Sequence, residues 1–258
     1  MLLVGTSGFS FRDWKGAFYP EHLKNSDWLS YYGKHFHTVE INTTYYGVPK
    51  PGVFERMLHS VPDGFEFMVK ANKATTHDRA DRDVPGTFLE SVRPLREAGC
   101  FSGVLAQFPW SFRNNAENRS YLAELADSYR DLSLFVEFRH NSWNRDEAYR
   151  FLTDRGLFFV SVDEPRIGDM MPPAAKATEN MAYVRFHGRN AKSWWNNSAD
   201  RYNYLYTAEE LDEWVEKVEK LEKTVWKLYA FFNNCHQGYA ARNALMFKDL
   251  MEKRKRKL

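Results

Sequence analysis

Leu134-Phe135-Val136-Glu137-Phe138-Arg139-His140 reads as a buried strand that ends in charge. Side chains alternate along a strand, so Val136 and Phe138 share one face and Phe135, Glu137 and Arg139 share the other. The second face starts apolar and finishes with opposite charges. Those charges either neutralise neighbours inside a core or line a site. The same arrangement, an apolar strand closed by polar residues, recurs seven more times along the chain.

The recurrences are at 2–7, 38–42, 65–70, 103–107, 158–163, 182–188 and 225–233. Most are separated by apolar residues at helical spacing, such as Trp28, Leu29, Tyr32 and Phe36, or Leu122, Leu125, Ala126 and Tyr129. Thr207 and Glu210 form a capping box ahead of the stripe Leu211, Trp214, Val215, Val218 and Leu221. A last helix is expected over 239–253. Residues 164–180 carry three prolines and no amphipathic stripe, so a loop is expected where the sixth helix would stand. Eight strands alternating with helical segments in 258 residues fit one α/β domain, a (β/α)8 TIM-type barrel over 1–252. An open doubly wound sheet is the alternative. Against it, Gly5-Thr6-Ser7-Gly8 lacks the third glycine and the helix start of a dinucleotide fingerprint.

Composition narrows the function classes. No apolar run approaches the roughly 20 residues of a membrane helix, and the N-terminus runs straight into a strand without a signal-like stretch. Cys100 and Cys235 make no disulfide framework, so a reducing cytoplasm is expected. The net charge of +2 hides a basic tail, 253–258, with five cations from Lys253 to Lys257; without them 31 positive residues face 34 negative ones. A mildly acidic body does not suit duplex DNA. The tail reads as a frayed, solvated helix end, with a nucleic-acid contact as the weaker alternative.

The strand ends supply the chemistry. They carry Glu40 and Asn42, Lys70, Gln107, Glu137 and Arg139, Asp163, Arg185 and His187, and Asn233. Each falls opposite the aliphatic residues of its strand. In a barrel the aliphatic parity packs on the helices and the other points inward. Polar ends of inward rows converge at the C-terminal mouth, where barrel enzymes work. The bland alternative is buried pairing, Asp163 with Arg185 or Glu40 with Lys70, which holds register without chemistry.

Several strings resemble the DUF72 family, also called YecE-like. They are 4–9 (VGTSGF), 39–46 (VEINTTYY), 136–143 (VEFRHNSW), 185–189 (RFHGR) and 231–234 (FFNN), together with Lys70 followed by Thr76-His77, and Gln107 before Phe108-Pro109. The resemblance spans nearly the whole chain, with Phe108 as one departure from the usual pattern. It implies a TIM-type barrel. It implies no activity and no catalytic residues, because the family is defined by a domain of unknown function.

The residues themselves point first to an enzyme, of hydrolase or isomerase type, acting on a phosphorylated or other anionic small molecule. Arg139, Arg185 and Lys70 would bind the anion, with Asn42, Gln107, Asp163, Arg189, Asn233 and Asn234 as further substrate contacts. The end of strand seven offers Arg185, His187, Gly188 and Arg189, and Asn233, Asn234, His236 and Gly238 follow strand eight; the loops there are the usual phosphate site of this fold. Glu137, His187 and Glu40 would transfer protons. If Glu137 is catalytic, Glu137→Gln should keep the fold and abolish turnover; loss of the fold favours the buried pair. No cofactor is required by the sequence. A divalent metal on Glu40, Glu137, Asp163 and His187, serving a phosphodiesterase, nuclease or isomerase, is the second reading. A sugar- or nucleotide-binding module is the third, with Trp194, Trp195, Tyr202, Tyr204 and Tyr206 as stacking rings or as loop packing. Trp14 and Tyr19 stand under the same two readings. Cys235 is a nucleophile or a small half-buried thiol.

Overall fold

The structure, a computed structural model, describes residues 1–79, 84–196 and 199–256. The charged segment toward Arg82 is described as far as Arg79, and the tail residues Lys257 and Leu258 fall outside the described residues. In chain order the elements are β1 (Leu2–Thr6), α1 (Trp28–Tyr32), β2 (Thr38–Ile41), α2 (Gly52–Leu58), β3 (Glu66–Lys70), α3 (Val84–Ser91), α4 (Arg93–Glu97), β4 (Phe101–Gln107) and α5 (Ala116–Ser128). They continue with β5 (Leu134–Glu137), α6 (Asp146–Thr153), β6 (Phe158–Asp163), β7 (Met181–Phe186), α7 (Ala208–Glu222), β8 (Lys227–Phe232) and α8 (Tyr239–Lys255).

All neighbouring strands pair in parallel, in the order β1-β8-β7-β6-β5-β4-β3-β2. The barrel is nearly closed. β1 and β2 meet at its mouth, where Ser7 bridges Glu40 and the Gly8 amide donates to the Glu40 carbonyl at 2.8 Å. Lower on this seam a Cβ on Gly5 would lie 2.4 Å from the Thr38 carbonyl oxygen, so only glycine lets the two strands approach. β6 leads to β7 through residues 164–180 without a helix.

The core has two shells. Inside the barrel, Tyr183 and Tyr229 touch each other's rings and each touches the rings of Phe135 and Phe231. Glu66 closes the lower end, accepting from Lys227 Nζ at 2.6 Å and Ser102 Oγ at 2.9 Å. Outside, the opposite parity meets the helices: Phe186 touches Trp214 of α7 and Phe247 of α8, and Phe138 stacks on Trp143 at 4.1 Å. Each fully buried side chain of this size stabilises the fold by roughly 1.5–3 kcal/mol.

The Thr207–Glu210 capping box starts α7 as the sequence predicts. The terminal helix differs from expectation. Rather than fraying at 253, α8 runs to Lys255, because Arg254 pairs with Glu219 and Lys255 with Glu222 on the neighbouring α7. Among the described residues no helix is long and apolar enough to cross a membrane.

Candidate functional site at the barrel mouth

Three inward side chains make the upper floor of the lumen. Arg185 of β7 donates through Nη1 to Glu137 Oε2 at 2.6 Å and through Nη2 to Glu40 Oε1 at 2.7 Å. Tyr183, one step lower on β7, donates to the other Glu40 oxygen. All four are buried. Strand register dictates the meeting, because Arg185 and Tyr183 share the inward parity of β7, as Glu40 and Glu137 do on β2 and β5.

Above this layer Arg139 donates from Nε to Glu137 Oε1 at 2.9 Å and from Nη1 to Glu164 Oε2 at 2.6 Å. Burial alone would raise the Glu137 carboxyl, but Arg185 and Arg139 outweigh it and hold it well below the usual carboxylate range. His187 places Nε2 at 3.1 Å from Glu137 Oε1, and Asn233 Nδ2 lies 3.0 Å from His187 Nδ1. These partners select the neutral tautomer, which donates to the carboxylate and accepts from the amide. Burial, reinforced by Arg139, brings the imidazole down to about 3.

Lys70, at the end of β3, donates to Gln107 Oε1 at 3.0 Å and lies 4.4 Å from the centroid of the Tyr45 ring. Burial, then the neighbouring Arg185, brings its ammonium down to about 7. Over these groups opens a cavity of about 1100 Å³. Lys70, Arg139, Arg185 and Arg201 line it, with Asn42, Gln107, His77 and Asn233. Aromatic walls are supplied by Phe9, Phe11, Tyr45, Tyr46, Trp110, Trp194, Trp195 and Tyr202. Among the described residues no carboxylate lines it. Glu40 and Glu137 lie beneath and present the guanidinium groups upward.

Comparison with known proteins gives the family. The model for "Protein of unknown function DUF72" matches residues 3–258. The chain is a member of the DUF72 family. A DUF72 protein of solved structure from Thermotoga maritima is 44% identical, with a TM-score of 0.91 over 98% of this chain and 99% of that one. Another, from Enterococcus faecalis, is 30% identical with a TM-score of 0.87, over 98% of this chain and 96% of that one. The UPF0759 protein YunF of Bacillus subtilis is 29% identical over 98% of this chain and 95% of its own length. The TIM-type barrel expected from the strand count is thus the family's fold.

Three candidates of this DUF72 chain lie elsewhere than expected. Asp163 turns away from the lumen. Val162, its neighbour on β6, is the residue in register with inward Arg185, so Asp163 faces α7. There it accepts from Trp214 Nε1 at 2.6 Å, Tyr206 OH at 2.7 Å and both Arg189 Nε and Nη2, at 2.9 and 2.8 Å. Arg189 is thereby held on the same outer side, with Glu213 at 3.0 Å. Asn234 is one step past inward Asn233, so it points outward and donates to Asn243 Oδ1 and the Tyr204 carbonyl, each at 2.8 Å. The expected pairs Asp163–Arg185 and Glu40–Lys70 are replaced by Asp163–Arg189 and Glu40–Arg185.

Two wider expectations change with them. In the loops after β7 and β8 Arg189 and Asn234 turn outward and the Gly188 amide donates to Tyr206 OH at 2.8 Å, whereas Arg201, Asn233 and Cys235 line the cavity. Lys70, Arg139 and Arg185 line the same cavity from the ends of β3, β5 and β7. Glu40, Glu137, Asp163 and His187 do not converge as metal ligands, since Asp163 lies outside the wall and the other carboxylates are engaged by Arg185. The aromatic loop divides. Trp194, Trp195 and Tyr202 face the cavity, whereas Tyr204 and Tyr206 pack outward. Trp14 and Tyr19 are buried packing residues, donating to the carbonyls of Cys235 and Phe9, each at 2.7 Å. Cys235 lines the cavity, yet burial drives its thiol far upward, away from the thiolate a nucleophile needs.

Sequence reasoning missed Arg201, which lines the cavity from the loop before α7, and two further polar groups. Glu164 follows β6 and is buried against Arg139; burial raises its carboxyl to about 8 despite that partner. Its signal was hidden behind Asp163. His77 sits in a single π-turn, 74–78, and lines the cavity with Nδ1 at 2.9 Å from Thr76 Oγ1. Burial and Lys70 bring it down to about 4, so it stands neutral.

Proposed function

We propose that this DUF72 protein is an enzyme that binds a small anionic molecule, a phosphate ester or carboxylate, at the barrel mouth. The observation that carries the reading is the sorting of charge: four cations line the cavity and, among the described lining residues, no carboxylate does. An entering anion meets donors, while the acids that neutralise them stay below. Guanidinium groups locked by buried carboxylates cost little reorganisation when they take an oxyanion. A volume of about 1100 Å³ and the aromatic walls suit a ligand larger than a bare oxyanion, with a flat or apolar part.

In this reading Glu137 and Glu40 position Arg139 and Arg185. Each of their oxygens already accepts from an arginine, a tyrosine or His187, and neither carboxylate is among the residues that line the cavity. His77 and Lys70 take the proton-transfer role, since both line the cavity and, among the described residues, neither is ion-paired with a carboxylate.

The test is a thermal-shift series pairing charged ligands with uncharged counterparts, glucose 6-phosphate against glucose and a nucleoside monophosphate against its nucleoside. Saturable stabilisation by the charged member of at least one pair is expected. Equal shifts within every pair would remove the anion reading.

A further inference from the structure

Lys70 is placed unlike the other inward lysine. Lys227, at the lower end of the barrel, has the Glu66 carboxylate at 2.6 Å. Lys70 has only neutral partners, the Gln107 amide oxygen and the face of Tyr45, and among the described residues no carboxylate pairs with it. The arginines above the same layer take the acids: Glu40 and Glu137 go to Arg185, and Glu137 and Glu164 to Arg139. An amine left with a neutral shell beside guanidinium groups, on the wall of an open cavity, is a nucleophile in waiting. A cationic neighbour disfavours the ammonium form and frees the nitrogen lone pair.

We propose that Lys70 captures a small anionic aldehyde, ketone or 2-oxo acid as an imine, with Arg139 and Arg185 holding its anionic group. This rests on the anion reading above and names its substrate class. The Nζ lone pair attacks the carbonyl carbon, and the C=O pair moves to oxygen. A proton passes from nitrogen to that oxygen, giving a carbinolamine. The nitrogen lone pair then expels the hydroxyl, which leaves as water with the second amine proton, and a C=N bond remains. Amine and carbonyl are thus converted to imine and one water, with no oxidant or reductant. His77, neutral and lining the same cavity against the Tyr45 ring at 5.2 Å, is placed to relay those protons. Bond-making and bond-breaking next to the imine carbon is the chemistry such an adduct makes accessible.

The experiment traps the adduct on the wild-type chain. The protein is equilibrated with glyoxylate near neutral pH, reduced with sodium borohydride, whose hydride turns the imine into a stable secondary amine, digested, and mapped by mass spectrometry. Labelling of Lys70 at least about tenfold above the exposed Lys73 and Lys220 is expected, because an ordinary lysine is almost wholly protonated there. Inorganic phosphate should suppress it, and Lys70→Met should lose that adduct with its circular dichroism unchanged. Adducts spread over exposed lysines, with Lys70 unmodified or labelled no faster, would overturn the proposal without touching the anion reading if phosphate still binds by calorimetry. Selective labelling that phosphate leaves unchanged would support the nucleophile and overturn the anion reading instead.

Discussion

Two buried ionic clusters sit at the C-terminal end of this barrel, on opposite sides of one wall. Inside, Arg185 and Arg139 share Glu40, Glu137 and Glu164, and their guanidinium groups face a cavity. Outside, Asp163 holds Arg189 against α7, and Tyr206 and Trp214 cover it. Both are built from charges at strand ends. The inner one leaves donors open to a ligand; the outer one closes every valence of its carboxylate and ties β6 to α7. The difference teaches that charge at a strand end marks a site only when the parity is inward.

The largest effect should come from breaking the inner cluster. Arg185→Met leaves Glu40 and Glu137 buried without their shared cation, and a loss of about 3–5 kcal/mol is expected in urea unfolding. Glu137→Gln should likewise destabilise rather than act as a silent catalytic knockout. A stability change below about 1 kcal/mol in both would mean that the cluster is held for chemistry alone.

Next is the outer cluster. Asp163→Asn leaves one acceptor oxygen, which keeps the bond from Trp214 Nε1 or from Tyr206 OH but not both, and loses the ion pair with Arg189, at an expected cost of about 1–3 kcal/mol. Its ligand affinity should stay at the wild-type value. A fall in affinity equal to that of a cavity variant would erase the distinction between the two sides of the wall.

Lys70 sharpens the comparison through pH. Its native value, about 7, lies below the 10.5 of the unfolded chain. Between those limits the unfolded chain holds a proton the native chain has lost, so raising the pH stabilises the fold. Below about 7 the full penalty of burying the charged amine applies. The stability difference between wild type and Lys70→Met should therefore shift in favour of wild type across that window, by up to about 1.4 kcal/mol per pH unit. Urea midpoints on both sides of the window measure it; a constant difference would contradict the environment assigned to Lys70.

The smallest effect belongs to α7, which carries the outer cluster. Thr207→Ala removes the capping box and should cost about 1 kcal/mol in urea unfolding, with ligand binding unchanged.

The barrel was legible in the sequence because eight apolar runs alternate with helical stripes, and the inner cluster because Glu40, Glu137 and Arg185 stand opposite aliphatic neighbours. β6 defeated the same argument. Phe158, Phe159, Val160 and Val162 make both its faces apolar, so the parity of Asp163 was decided only by the pairing of Val162 with Arg185. Asn234 was misplaced by one residue, since each step along the chain reverses direction. His77, Tyr45 and Trp110 come from loops, where no periodicity says which side chain turns inward. The family strings carried the fold but named no reaction.

The central claim is that the inner face of the wall presents an anion site and the outer face does not. Calorimetric titration of inorganic phosphate at low ionic strength into wild type, Lys70→Met and Asp163→Asn tests it most directly. Saturable binding by wild type and Asp163→Asn, weakened at least about tenfold in Lys70→Met, is the predicted result; a lost charge-assisted hydrogen bond of roughly 1.5–3 kcal/mol sets that scale. No saturable binding by the wild type, or equal binding by all three, would contradict it.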